Sequence, residues 1–192
     1  MLIRRAAISD AAAIATIYAP YVRDTPISFE IVPPATDEIA ARIEKVSRAH
    51  AWLVCADGGD VLGYAYTGEH RERAAYRWGV DCAVYVRRDA RQRGIGRALY
   101  AGLFPLAAAQ GYAAAYAGIT LPNAASVALH ERVGFVAVGV YQAVGFKLGA
   151  WHDIGWWALE LAARVADPPE PRPATDVQWQ AALAAANARF GL

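Results

Sequence analysis

Apolar and polar positions along this chain follow two periods. Residues 2–7 (LIRRAA) read as a short strand. Ile14, Ile17, Tyr18 and Tyr21 then recur at the three-and-four spacing of one helix face. Ser9 stands where an N-cap belongs, with Asp10 in the first turn. Residues 25–34 carry Pro26, Pro33 and Pro34 and read as a loop. Thr36 is expected to cap a second helix with Ile39, Ile43 and Val46 inward.

Strands follow. AWLVCAD at 51–57 and VLGYAYTG at 61–68 flank the turn Asp57-Gly58-Gly59-Asp60. The polar stretch 69–77 reads as a loop and GVDCAVYV at 79–86 as a central strand. A glycine-bearing turn at Arg91–Gly96 leads into a helix ending near Gln110-Gly111. A strand is expected at 113–119, and Asn123 caps a short helix that stops at Gly134. Two more strands fall near 135–146 and 152–162. The order β-α-α-β-β-β-α-β-α-β-β is α/β in its middle, with antiparallel hairpins on either side.

The reading gives one domain over 1–165. A Pro-rich linker and tail follow over 166–192, in which residues 177–190 fit one amphipathic helix. Pro105 is anomalous, because inside a helix it removes a backbone bond at a cost of about 3 kcal/mol unless the helix kinks.

Bulk properties narrow the classes. The 192 residues are 56% hydrophobic, enough for one full core. A formal net charge of +1 gives no field for nucleic acid or an anionic membrane. Cys55 and Cys82 both lie in apolar runs and read as buried, reduced thiols. No apolar run is long enough to span a bilayer, and MLIRRAAISD lacks the apolar core of a signal peptide. A soluble, cytoplasmic protein is expected. The four histidines, two cysteines and nearby acids show no metal-ligand spacing, so no metal is expected.

The sharpest motif is Arg91-Gln92-Arg93-Gly94-Ile95-Gly96-Arg97-Ala98, between a strand and a helix. Two glycines let backbone approach a ligand, and the first helix amides point outward unpaired. With the helix dipole and Arg91, Arg93 and Arg97, such a turn suits a pyrophosphate. A dinucleotide fingerprint would need glycine where Leu99 stands, and a Walker A loop would need Gly-Lys-Ser/Thr.

The hexamer Arg91–Gly96 resembles the acetyl-CoA loop of the GNAT superfamily, Q/R-x-x-G-x-G/A. The segment Asn123-Ala124-Ala125-Ser126 through Leu129-His130 to Gly134-Phe135 resembles the superfamily's second signature, and Val84-Tyr85-Val86 its pantetheine strand. The resemblance implies the GNAT fold: a central mixed, mostly antiparallel sheet with splayed central strands and flanking helices. Ala75-Tyr76-Arg77-Trp78 with Asp81, and the run Val144–Trp157, look like the phosphinothricin N-acetyltransferase branch. The likeness covers residues 2 to about 162.

By that resemblance acetyl-CoA is the cosubstrate. It would lie on Val84, Tyr85, Val86, Arg91, Gln92, Arg93, Gly94, Ile95, Gly96 and Arg97, with Asn123 and Ser126 nearby. Asp81 and His130 would handle protons, since an ammonium must lose one before attacking a thioester. Relatives commonly carry Glu where this chain has Asp81, one methylene shorter. Arg71 and Arg73 would grip the acidic end of an amino-acid-like substrate. Phe29 would wall the pocket, and carbonyls around Cys82 and Ala83 would receive the amine. Alternation sets Cys82 opposite Asp81, which favours direct transfer over an acetyl-enzyme. His152 and Asp153 read as backbone partners at the start of the last strand, and His50 and His70 as ordinary surface or loop residues.

Relatives in the branch pair, and Trp151, Trp156 and Trp157 on one terminal strand favour an interface, so a homodimer is expected. Two other readings stay open: an acetyltransferase for a peptide N-terminus or a polyamine, and a non-catalytic acyl-CoA-binding module. A nucleic-acid binder built on Arg87, Arg88, Arg91, Arg93 and Arg97 lacks any recognised binding pattern.

Overall fold

The structure, a computed structural model, describes residues 1–191. Seven strands form one sheet: β1 (Leu2–Arg5), β2 (Trp52–Asp57), β3 (Asp60–Glu69), β4 (Gly79–Val86), β5 (Ala114–Leu121), β6 (Val136–Lys147) and β7 (Ala150–Glu160). Their order is β1-β2-β3-β4-β5-β7-β6. Every neighbouring pair is antiparallel except β4–β5, which is parallel. The expected mixed, mostly antiparallel sheet is therefore present.

Helices cover both faces. Ile14, Ile17, Tyr18 and Tyr21 of α1 (Ala11–Asp24) and Ile39 and Ile43 of α2 (Thr36–Val46) pack on Trp52, Val54 and Tyr64. On the other face, α3 (Ile95–Ala109) buries Leu99, Tyr100, Leu103 and Leu106 against Leu53, Ala65, Val80 and Ala115. The short α4 (Ala124–Arg132) follows β5, and α5 (Asp176–Phe190) ends the chain.

Two local expectations are corrected. Ser9 does not cap α1. Asp10 takes the Ala7 amide at 2.8 Å and both Arg4 guanidinium nitrogens at 2.7 Å, which winds residues 8–10 into a 3-10 turn ahead of the helix. Thr36 is the first residue of α2, preceded by extended Ala35, and not its side-chain cap. The helix expected over 177–190 is present as α5 and is docked on the rest of the fold. Trp179, Ala182 and Ala186 are buried against the α3 face, and the Asn187 side chain makes two hydrogen bonds to Ile3 of β1, at 2.7 and 3.0 Å. Burying the Trp179 side chain alone contributes on the order of 2–3 kcal/mol. Pro105 stands on the exposed face of α3, which runs through it to Ala109.

Candidate active site

The parallel strands β4 and β5 pair only at Gly79–Ala114, Val80–Ala115 and Asp81–Tyr116. Past Asp81 they part. The Arg87 amide donates to Leu62 of β3 at 2.8 Å. Alternation along an antiparallel ladder then assigns the polar groups of Ala83 and Tyr85 to β3 and turns those of Cys82, Val84 and Val86 into the gap. The Val86 carbonyl there accepts from the Tyr21 hydroxyl at 2.6 Å. Backbone groups that face a gap need a partner, and a polar chain laid along β4 would supply it.

The gap leads to the glycine turn. Gly94 holds φ +80, a left-handed conformation that a β-branched residue resists, and α3 starts immediately after it. The first amides of α3 have no intrahelical acceptor, so they and the helix dipole face outward at this corner. Gly96 is where α3 meets α4: a Cβ there would lie 3.0 Å from Leu129. The side chains around the turn are spoken for. Ile95 is buried, Arg91 lies 5.1 Å over Tyr21, Arg93 is 3.7 Å from Asp57, and Arg97 lies 5.7 Å over Phe190. Anion binding at this turn therefore rests first on backbone. Asn123 caps α4 as expected, its Oδ1 accepting from the Ser126 amide at 3.2 Å.

At the mouth of the gap, Asp81 Oδ1 and His70 Nδ1 are 2.6 Å apart. The His70 ring stacks on Tyr116 at 4.3 Å, with Tyr76 and Trp156 edge-on at 5.9 and 6.1 Å. Burial pushes the Asp81 carboxyl up, against the hydrogen bond and charge of His70 and the charge of Arg71. The Arg71 guanidinium lies 5.4 Å over Trp156, and Arg73 is exposed one residue before the 3-10 turn 74–76. A cavity of about 460 Å³ opens here, lined by His70, Tyr76, Trp78 and Tyr116 and walled outside by residues 162–165 and 168–169. The Trp78 indole donates to the Pro169 carbonyl at 2.9 Å and fixes that wall.

The next residue, Cys82, faces the other way, towards Tyr100 of α3 at 3.8 Å. Tyr100 lies 2.8 Å from His130 Nε2, and His130 Nδ1 donates to the Ser126 carbonyl at 2.8 Å. A carbonyl only accepts, so Nδ1 carries the proton and Nε2 accepts from Tyr100. His130 is 4% exposed between Tyr100 and Phe135, and burial lowers its pKa while the Ser126 carbonyl opposes the shift. The fold thus separates Asp81 and His130 onto opposite faces of the sheet. Burial pushes the Cys82 thiol up to about 12, with Tyr100 opposing and Asp81 adding to it.

The proline-flanked loop 25–35 is pinned by a residue that sequence reasoning missed. Lys147 of β6 is buried, and its ammonium donates to the carbonyls of Val22, Ser28 and Glu30 at 2.6, 2.6 and 2.7 Å. Phe29 comes to rest against the backbone of Gly145, 6.5 Å from the His152 ring. His152 and Asp153 satisfy backbone as expected, at Lys147 O and Ala143 N. His70, Tyr100 and Tyr116 carried no motif, and Lys147 stood in the run Val144–Trp157 without a role of its own. Only the β3–β4 register, Glu69 opposite Val80, could have placed His70 beside Asp81.

The model of the Acetyltransferase (GNAT) domain family matches residues 3–156. A phosphinothricin N-acetyltransferase of Streptomyces viridochromogenes is 38% identical over 91% of this chain and 95% of its own length. An L-methionine sulfoximine/L-methionine sulfone acetyltransferase of Pseudomonas paraeruginosa is 36% identical, over 89% of this chain and 98% of its own. Among solved structures, a GNAT superfamily phosphinothricin acetyltransferase from Sinorhizobium meliloti in complex with AcCoA superposes with a TM-score of 0.84. It is 34% identical, with 88% of this chain and 94% of that one covered.

Proposed function

The chain belongs to the GNAT acetyltransferase family, and from that premise we propose that it moves acetyl from acetyl-CoA directly to the amine of a small amino-acid-like substrate. The observation that carries the reading is the gap past Asp81, which joins an open helix N-terminus at Gly94 to a carboxylate held against His70.

Acetyl-CoA fits these residues. Its pyrophosphate would take the amides of residues 92–97. Its pantetheine amides would meet the gap-facing backbone of Cys82 and Val84. When bound it supplies the activated acetyl group. The negative charge of Asp81 then attracts the ammonium, and Arg71 and Arg73 offer charge to the substrate's acidic end. Phe29 closes the far side. His130 is a positioning residue in this scheme: it keeps the Tyr100 hydroxyl fixed behind Cys82. With its thiol that high, Cys82 is a poor nucleophile, which supports direct transfer.

The relatives named above bear phosphinothricin and methionine sulfoximine or sulfone in their names, which supports that substrate class here. Acetyl-CoA turnover with those three compounds and with the common amino acids tests it. Turnover confined to peptide N-termini or polyamines would overturn the class. Gly94→Val is expected to weaken acetyl-CoA binding more than about tenfold in a folded protein, and near-normal affinity would remove the cofactor assignment.

A cytoplasmic homodimer belongs to the same reading. Val136, Val138, Phe146 and Trp151 of the β6–β7 edge are all more than half exposed, a patch that fits a second copy. Of the three late tryptophans, Trp157 is buried and Trp156 half-buried against Gly118, so Trp151 carries that argument. A monomeric mass by light scattering at micromolar concentration would refute it.

A further inference from the structure

We infer that His70, and not the Asp81 carboxylate itself, takes the proton from the acceptor amine, with Asp81 holding the imidazole in place from behind. The inference rests on the acceptor site proposed above and names the atom that works there.

A carboxylate accepts and does not donate, so the 2.6 Å contact makes Nδ1 of a neutral His70 the protonated nitrogen. Nε2 is then the bare one. It has no protein partner among the described residues and is not enclosed, although only 12% of the side chain is exposed. The ring cannot swing away: Tyr116 stacks on one face, and Tyr76 and Trp156 meet its edge. The same ring lines the cavity of about 460 Å³. A tautomer fixed by a carboxylate, a ring fixed by aromatics and one free nitrogen on a ring that lines a cavity are what a general base requires.

The shorter side chain at position 81 fits this division of labour. Asp81 is spent on Nδ1, and the imidazole adds the reach that an aspartate lacks. The charged and titratable groups facing His70 are Asp81 from β4, Tyr116 from β5, and Arg71 and Tyr76 from the connection between β3 and β4.

The ammonium passes one proton to His70 Nε2, and the freed lone pair forms the C–N bond as the C–S bond breaks. The second proton leaves nitrogen as the amide forms, and one proton returns to the CoA thiolate. His70 then releases its proton to water, so one proton is set free per ammonium consumed.

The test uses the full chain, acetyl-CoA and whichever amino-acid acceptor turns over. His70→Gln can still donate to Asp81 but cannot accept the proton. It is expected to lower kcat by about 10²-fold or more, with acetyl-CoA affinity unchanged and the deficit shrinking as pH rises. His70→Ala is expected to behave likewise and to regain at least about tenfold in rate with added imidazole. A Gln variant as fast as the parent, or a deficit equal at every pH, overturns the inference and leaves a structural role. No turnover by the unaltered chain with any amino acid would instead overturn the acceptor reading beneath it.

Discussion

Asp81 and Cys82 are consecutive residues of one strand, and the clusters they enter make a controlled comparison. Each contains an imidazole, a tyrosine ring and one residue of β4. On the Asp81 side His70 keeps a free ring nitrogen beside a cavity. On the Cys82 side both nitrogens of His130 are engaged and the tyrosine is fully covered. The difference is in what remains unsatisfied and reachable, not in which side chains are present. A polar group whose partners are all protein is structural, whereas one with a spare lone pair at a cavity can do chemistry.

That contrast breaks most sharply at Asp81. Asp81→Asn is expected to reduce turnover by roughly 10²–10⁴-fold with acetyl-CoA affinity little changed, and to recover part of the loss at higher pH. Steady-state rates beside an equilibrium binding measurement decide it, and a parental rate at neutral pH would remove Asp81 from the chemistry.

A smaller effect is expected on the wall of the open side. Lys147→Met leaves three buried carbonyls without their cation, and should cost about 3 kcal/mol on a denaturant curve. Because it frees the loop that carries Phe29, it should also raise the acceptor KM more than it lowers kcat. An unchanged KM would show that this loop does not shape the acceptor pocket.

His130→Phe probes the closed side. It leaves the Tyr100 hydroxyl only the weak sulfur acceptor of Cys82, for an expected loss of about 1–3 kcal/mol, but should slow turnover by less than about tenfold. A loss as large as that of Asp81→Asn would mean that both faces work on protons. The pH profile of stability gives an independent reading. His130 and His50 both have folded pKa values below the ordinary histidine value of about 6.5. Below that value the unfolded chain binds protons that the folded one does not. The stability they contribute is therefore present above about pH 6.5 and is lost as pH falls through their lower folded values. His130→Phe should flatten part of this slope.

The smallest effect is expected from Cys82→Ala, which should keep turnover within a few-fold of the parent. A dead Cys82→Ala protein with ping-pong kinetics would contradict direct transfer.

Much of this was legible in the sequence, because it rests on local periodicity. Alternation in GVDCAVYV correctly set Asp81 and Cys82 on opposite faces. The Arg91–Gly96 turn marked the start of α3, and Asn123 marked the cap of α4. Where local signals competed, the stronger partner won: Asp10, with three donors in reach, displaced Ser9 at the first helix.

What only the tertiary structure decided concerns groups far apart in the chain or separated by a loop. His130 lay in a recognisable signature, but nothing local said that Tyr100, thirty residues earlier, would close over it. His70 lay in a polar stretch that any loop might show, and its place beside Asp81 follows from hairpin register and the Tyr116 ring. Lys147 had no role assigned from sequence, and its burial depends on three carbonyls more than a hundred residues away. The 3.6- and 2-residue periods fix which face a side chain takes. What meets it on that face is set by how the elements pack, and so a proton carrier and a buried histidine look alike until the chain is folded.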